Sequence, residues 1–154
     1  MHRASVLFVC LGNICRSPLA EAALRAAAER SGMELTVDSA GTGDWHVGMP
    51  PDPRALAEAL RHGIDISAYR ARQVSTDDFD RFTHIFALDH QNFADLQGMA
   101  PVSTPAQLSL LLDVVPGRAG QSVADPYFGG EDGFVETWRQ VSDAAEAILG
   151  MLGR

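Results

Sequence analysis

The sequence predicts an α/β fold of three layers, a four-stranded parallel sheet covered by helices on both faces. Three observations carry that expectation. Short β-branched and aromatic runs alternate with helix-length segments along the 154 residues. The boundaries between them are marked by Gly, Pro and Asn, which turn a chain. No repeat, low-complexity tract or linker interrupts the alternation, so residues 1–154 are expected to form one domain. With 46% hydrophobic and 21% charged residues, the chain can bury a sizeable core and is unlike a disordered one.

The elements follow in order. Val6-Leu7-Phe8-Val9 has the character of a strand buried on both faces. It stops at Cys10-Leu11-Gly12-Asn13, where Gly and Asn permit a tight loop and Asn13 is expected in the left-handed region. Ser17-Pro18 reads as N-cap and first helical residue of an Ala-rich helix running to Ser31, with Gly32 as its stop. Glu34 to Ala40 reads as a second strand ending at Gly41, and Thr42 to Pro53 as a loop. Arg54 to His62 has helical apolar spacing, Phe82 to Leu88 is a third strand, and a helix follows Asp89. Leu108 to Leu112 fits a fourth strand, although its apolar run fits a helix equally well. From Asp113 to Gly133 lie five Gly and two Pro, a long loop of the kind that carries function. Phe134 to Leu152 closes the chain as an amphipathic helix with Val135, Trp138, Val141, Ala145, Ile148 and Leu152 on one side.

Charge narrows the partners. The formal net charge is -8, and all twelve basic residues are Arg. An acidic chain lacks the electrostatic footprint for nucleic acid or for an anionic membrane, so neither is expected as a partner. Two cysteines, Cys10 and Cys15, are too few for a disulfide framework. With no leader pattern at Met1-His2-Arg3, no membrane-length apolar run and no lipidation signal at the closing Gly-Arg, a cytoplasmic location is expected.

The decisive run is Cys10-Leu11-Gly12-Asn13-Ile14-Cys15-Arg16-Ser17-Pro18, a C-x5-R-S pattern between a strand and a helix. A loop of this length curls so that the amides of Leu11, Gly12, Asn13, Ile14 and Cys15 can line one bowl. The following helix adds its unpaired N–H groups and positive dipole end. Arg16 brings a planar fork suited to two phosphoryl oxygens. Surroundings of this kind favour the thiolate of Cys10, a nucleophile aimed at a bound phosphorus. Two cysteines and scattered histidines do not make a zinc site, so no metal is expected. A nucleotide-binding P-loop is excluded because the chain has no Lys.

Val9 to Pro18 resembles the signature of the low-molecular-weight protein tyrosine phosphatases. The likeness continues through Ser39-Ala40-Gly41-Thr42, Trp45-His46-Val47-Gly48, Pro51-Asp52-Pro53-Arg54, His62-Gly63-Ile64 and Ala71-Arg72-Gln73. Asp89-His90-Gln91-Asn92 and Asp125-Pro126-Tyr127-Phe128-Gly129 are similar to its later landmarks. The resemblance implies a flavodoxin-like or Rossmann-like phosphatase fold, no cofactor, and hydrolysis of aryl phosphate monoesters through a phosphocysteine intermediate. In that reading Cys10 is nucleophile, Arg16 the phosphate clamp, and Asp125 the general acid and base. Taken alone, Asp125-Pro126 reads equally as a turn. Ser17 would cap the helix and donate to the Cys10 sulfur, and Ser39 with Ser17 would hold Asn13. Trp45, Tyr127 and Phe128, with Leu11 at the edge, would form the slot for a phenyl ring. His46 is a candidate for tuning the entrance or simply an exposed loop residue, and Asp89 is either supporting or purely structural.

Two further points come from the resemblance. The family uses a pair like Cys10 and Cys15 as a reversible disulfide, although Cys15 also reads as a small buried apolar residue. The family often has His two residues before the Ala-Arg-Gln triplet, where this chain has Tyr69. The partner implied is a phosphotyrosine-containing protein or peptide, with a cognate tyrosine kinase among the candidates. Two rival readings are an arsenate reductase, which needs redox cysteines beyond Cys15 that the chain lacks, and a phosphate-binding module without catalysis.

Overall fold

Alternation along the first strand sorts its side chains into two cores. The computed structural model describes residues 3–153; Met1, His2 and Arg154, on which part of the targeting expectation rests, lie outside them. Strand β1 (Ser5–Cys10) is buried along its whole length. Val6, Phe8 and Cys10 face one core, and Leu7 and Val9 face the other, the period of two that a pleated strand imposes. Full burial of each such side chain stabilises the fold by roughly 1.5–3 kcal/mol.

β1 pairs in parallel with β2 (Thr36–Gly41) on one side and β3 (His84–Ala87) on the other, and β4 (Gln107–Leu110) lies beyond β3. The order is therefore β2-β1-β3-β4. Connections leave β1 and β3 in opposite directions, so a crevice opens beyond their carboxyl ends, where ligands bind in open α/β sheets. Helix α1 (Arg16–Ser31) covers one face together with α2 (Pro53–Arg61) and α5 (Glu131–Leu152). The short α3 (Asp78–Arg81) and α4 (His90–Met99) cover the other, through Phe79 and Leu96. Alanines at 20, 23, 27 and 28 are buried and let α1 approach α5 closely. Among the described residues no helix is long and apolar enough to cross a membrane.

Several expected boundaries shift for physical reasons. Helix α1 begins at Arg16, with Cys15 as N-cap and no side-chain cap. Ser17 does not cap it, because its hydroxyl is turned to the Cys10 sulfur. Pro18 is the third helical residue, where its missing N–H would have no intrahelical partner in any case. Gly32 ends the helix with φ 71°, as a left-handed stop requires. Pro53 joins α2 as its first residue, and the Asp52 carboxylate accepts from the Arg54 amide at 2.8 Å. The apolar run at 108–112 divides, its first part in β4 and the rest in a 3-10 turn, Leu111–Val114. Helix α5 starts three residues early, and its inner face runs through Phe134, Thr137, Val141, Ala144, Ala145 and Ile148. Val135 is exposed, one position off that face. The four-residue α3 has no counterpart in the sequence expectation because it is too short to show a period.

Candidate active site

The loop from Cys10 to Arg16 is held from outside by its carbonyls. Thr42 and Gly43 amides donate to Cys10 and Leu11 oxygens, each at 2.9 Å, and the Asp52 amide donates to Ile14 oxygen at 2.9 Å. In a trans peptide the N–H points away from the C=O. The amides of Leu11, Gly12 and Cys15 are therefore turned toward the interior of the bowl. Gly41 makes this approach possible. A Cβ there would stand 2.7 Å from the Leu11 oxygen and 3.2 Å from the Asn13 nitrogen, backbone atoms that cannot yield.

Cys10 sits at the bottom, 3% exposed. Its sulfur lies 2.9 Å from Ser17 Oγ and accepts from the Asn13 amide at 3.3 Å. Asn13 has φ 58°. Its Nδ2 donates to Ser17 Oγ at 2.8 Å and Ser39 Oγ at 2.9 Å, and its Oδ1 accepts from the Arg72 amide at 3.0 Å. Ser39 in turn donates to Glu21 Oε1 at 2.7 Å, and Glu21 Oε2 accepts from Arg25 Nε at 2.9 Å. Tyr69 is partly buried against the core, and burial, with the negative charge of Glu21, pushes its phenol up to about 12.

Arg16 is buried and aimed by three groups. Its Nη1 donates to Asp89 Oδ2 at 2.7 Å and to Val123 oxygen at 3.0 Å, and its Nη2 faces Asp125 Oδ2 at 3.5 Å. Burial works against its charge, but Cys10 and the two carboxylates outweigh that and raise it above the ordinary value. Asp89 also caps α4, accepting from the Asn92 amide at 2.7 Å, so it joins a structural role to the orientation of Arg16. The long loop reaches the cleft because Val123 adds to the sheet end, its amide donating to Leu88 oxygen at 2.7 Å. Asp125 follows, 39% exposed on its side chain, with its Oδ1 accepting from the Tyr127 amide at 3.0 Å.

These groups share one cleft of about 250 Å³. Cys10, Gly12, Cys15 and Arg16 form its floor, with Leu11 and Ile14 on the near side. Trp45 and His46 wall one flank, and Asp125, Tyr127 and Phe128 the other. Tyr127 and Phe128 meet edge to face at 4.9 Å. Asn13, Ser17, Ser39 and Asp89 stand behind the floor, outside the lining. Cys15 is a free, buried thiol, and burial with the nearby Asp52 and Cys10 charges raises it far above an ordinary thiol. Sequence reasoning overlooked Glu21, Arg25 and the Gly41 approach. The first two look like ordinary helical surface charges, while Gly41 lay within a quoted landmark.

A strand-loop-helix bowl with a buried cysteine and arginine, faced by a carboxylate, holds the groups that phosphoryl transfer to a cysteine requires. Comparison with known proteins gives the family. The model for "Low molecular weight phosphotyrosine protein phosphatase" matches residues 5–154, and the chain belongs to this family. It is 44% identical to a low molecular weight phosphotyrosine protein phosphatase of Schizosaccharomyces pombe, over 94% of each chain. Among solved structures it is similar to Primo-1, with a TM-score of 0.93 and 35% identity over 98% of this chain and 99% of that one. It is also similar to DARP, a drosophila arginine phosphatase, with a TM-score of 0.91 and 34% identity over 97% and 98%.

Proposed function

We propose that the protein hydrolyses phosphotyrosine in proteins or peptides through a phosphocysteine intermediate. The convergence of the Cys10 sulfur, the buried Arg16 fork and Asp125 on one apolar-walled cleft carries this reading. The phosphoryl group rests on the loop amides and Arg16, which stabilise charge on its equatorial oxygens. The Cys10 thiolate attacks phosphorus, the P–O bond to the ring breaks, and Asp125 gives its proton to the departing phenolate. Water then attacks the phosphocysteine while the Asp125 carboxylate takes its proton, and the S–P bond breaks to return thiolate and phosphate. Leu11, Trp45, Tyr127 and Phe128 receive the ring, a depth that phosphotyrosine spans and phosphoserine does not.

Assay with p-nitrophenyl phosphate and a phosphotyrosyl peptide tests this. Cys10→Ser abolishes turnover, and Asp125→Ala lowers kcat by roughly 10²–10⁴ while inhibition by inorganic phosphate persists. Phosphate binding without turnover in the unaltered protein would leave only a binding module. A phosphoarginyl peptide belongs in the same assay, and its faster turnover would reassign the substrate. Capture on Cys10→Ser identifies the physiological partner, a cognate tyrosine kinase being one candidate.

Cys15 supports a protective role in the same reading. Peroxide converts the Cys10 thiolate to a sulfenic acid, and the Cys15 thiol displaces water from it to form a disulfide that added thiols reduce. Because burial holds Cys15 protonated, the second step is expected to be slow. Mass spectrometry after peroxide should find a Cys10–Cys15 bridge; sulfonic acid on Cys10 with no bridge would refute it.

A further inference from the structure

We propose that Arg54 is a positioning residue for proton transfer, clamping the loop that carries Asp125 onto the phosphate-binding loop. The proposal rests on the reading of Asp125 as general acid. Arg54 is the second residue of α2 and does not line the cleft. Its Nη1 donates to Gly129 oxygen and its Nη2 to Tyr127 oxygen, both at 2.8 Å. The other edge of the same plane binds Asp52, Nε to Oδ1 and Nη2 to Oδ2, each at 3.0 Å. The guanidinium carbon lies 4.7 Å from the centroid of the Phe134 ring and 5.7 Å from that of Tyr127.

These contacts form a continuous path between the two halves of the site. Ile14 of the phosphate loop accepts from the Asp52 amide, Asp52 holds Arg54, and Arg54 holds Tyr127 and Gly129. The Tyr127 amide then donates to the Asp125 carboxylate. Without this path the acid would hang on a loop whose next residues are largely exposed, Phe128 at 94%. Such segments open at low free-energy cost. A general acid must stay within hydrogen-bond reach of the leaving oxygen, and a misplacement of ~1 Å can cost ~10²-fold in rate. Charge is not the purpose. Burial pushes Asp52 up, but the bonds from Arg54 outweigh it and hold the carboxylate below its usual range, so the pair stays ionised and mutually neutralised. What Arg54 supplies is a flat fork that grips two carbonyls while its face packs on rings, which Lys cannot copy.

A leaving-group series tests the clamp. We expect Arg54→Met to reduce kcat/KM for phenyl phosphate, a poor leaving group, by ~10- to 100-fold. It should reduce p-nitrophenyl phosphate, which needs little protonation, far less, and leave inhibition by inorganic phosphate unchanged. Arg54→Lys should fall between the two proteins, and it carries the test alone if Arg54→Met does not fold. In an Asp125→Ala background, substitution of Arg54 should add no further leaving-group dependence. Equal losses across the series, weakened phosphate binding, or losses additive with Asp125→Ala would overturn the clamp. If Asp125→Ala itself shows no leaving-group dependence, the acid assignment falls, and the clamp with it. A normal Asp125→Ala pattern with an unchanged Arg54→Met series overturns the clamp alone.

Discussion

Ser17 stands where the neighbouring hydrogen bonds leave its hydroxyl proton available to the Cys10 sulfur. The Arg72 amide can only donate, so Asn13 must present Oδ1 to it and Nδ2 to the two serines. Ser17 therefore accepts from Asn13 and has its own proton free for the Cys10 sulfur at 2.9 Å. Ser39 donates its own proton to Glu21 Oε1, whose other oxygen accepts from Arg25, while burial pushes the Glu21 carboxyl up against these bonds. Behind Asn13 and Ser39 the chain draws on a Glu21–Arg25 pair one helical turn apart, and Tyr69 packs nearby. A hydrogen bond to a charged group contributes about 1.5–3 kcal/mol. Ser17→Ala should accordingly lower turnover of p-nitrophenyl phosphate by ~10- to 100-fold, with Ser17→Thr recovering much of it. Burst kinetics would show the loss, and an unchanged rate would mean the sulfur needs no donor there. That Cys10 and Arg16 share one loop was legible in C-x5-R-S, because the apolar strand before it, Gly-Asn within it and Ser-Pro after it mark a strand-to-helix turn. Glu21 and Arg25 were not, since an i,i+4 pair in a helix ordinarily marks a solvated face.

Among elements, the unit that matters is β1, its loop and α1, pressed against the end of β2. Gly41 is the contact point, and its amide and carbonyl also bond Arg72 oxygen and the Val74 amide at 2.8 Å. Gly41→Ala should destabilise the protein by about 1–3 kcal/mol through overpacking and reduce turnover as the loop is displaced. Urea denaturation alongside the assay would check both, and an unperturbed midpoint would show the loop yielding more easily than its backbone contacts imply. β3 begins with a different liability. Burial holds the His84 imidazole below its ordinary value, with its Nδ1 2.8 Å from Thr83 Oγ1. The unfolded chain then takes up a proton first, so stability is full above ~6.5 and declines as pH falls from there toward the folded value. His84→Gln should flatten that part of a plot of Tm against pH, and identical slopes would exclude His84 as the cause. Strands and the two long helices were readable from period and punctuation. The face of α5 was displaced by one residue at Val135, because Phe134 and Thr137 pack inward and only the neighbouring helices decide that.

For the whole molecule, a net charge of -8 has to be reconciled with a dianionic ligand. Attraction is local, through Arg16, inward amides and the α1 N-terminus, while the acidic remainder acts at encounter distance. Phosphopeptides with acidic flanks should show kcat/KM that rises with added salt, and those with basic flanks the reverse; equal rates at low salt would make the surface charge incidental. Fold class, strand sequence and the strand-to-helix loop that carries Cys10 and Arg16 were legible in the sequence alone, because each depends on local period, turn chemistry or spacing along the chain. The Asp125 segment, by contrast, was singled out only by the family resemblance. Only the tertiary structure decided that Asp89 aims Arg16, that Gly41 must lack a side chain, that Glu21 orders the hydrogen bonds behind Cys10, and that Arg54 joins the two loops. Those are contacts across 18 to 75 residues, made by side chains of ordinary type. Nothing in their own neighbourhoods marks them, since what gives each its role is the group that folding brings opposite it.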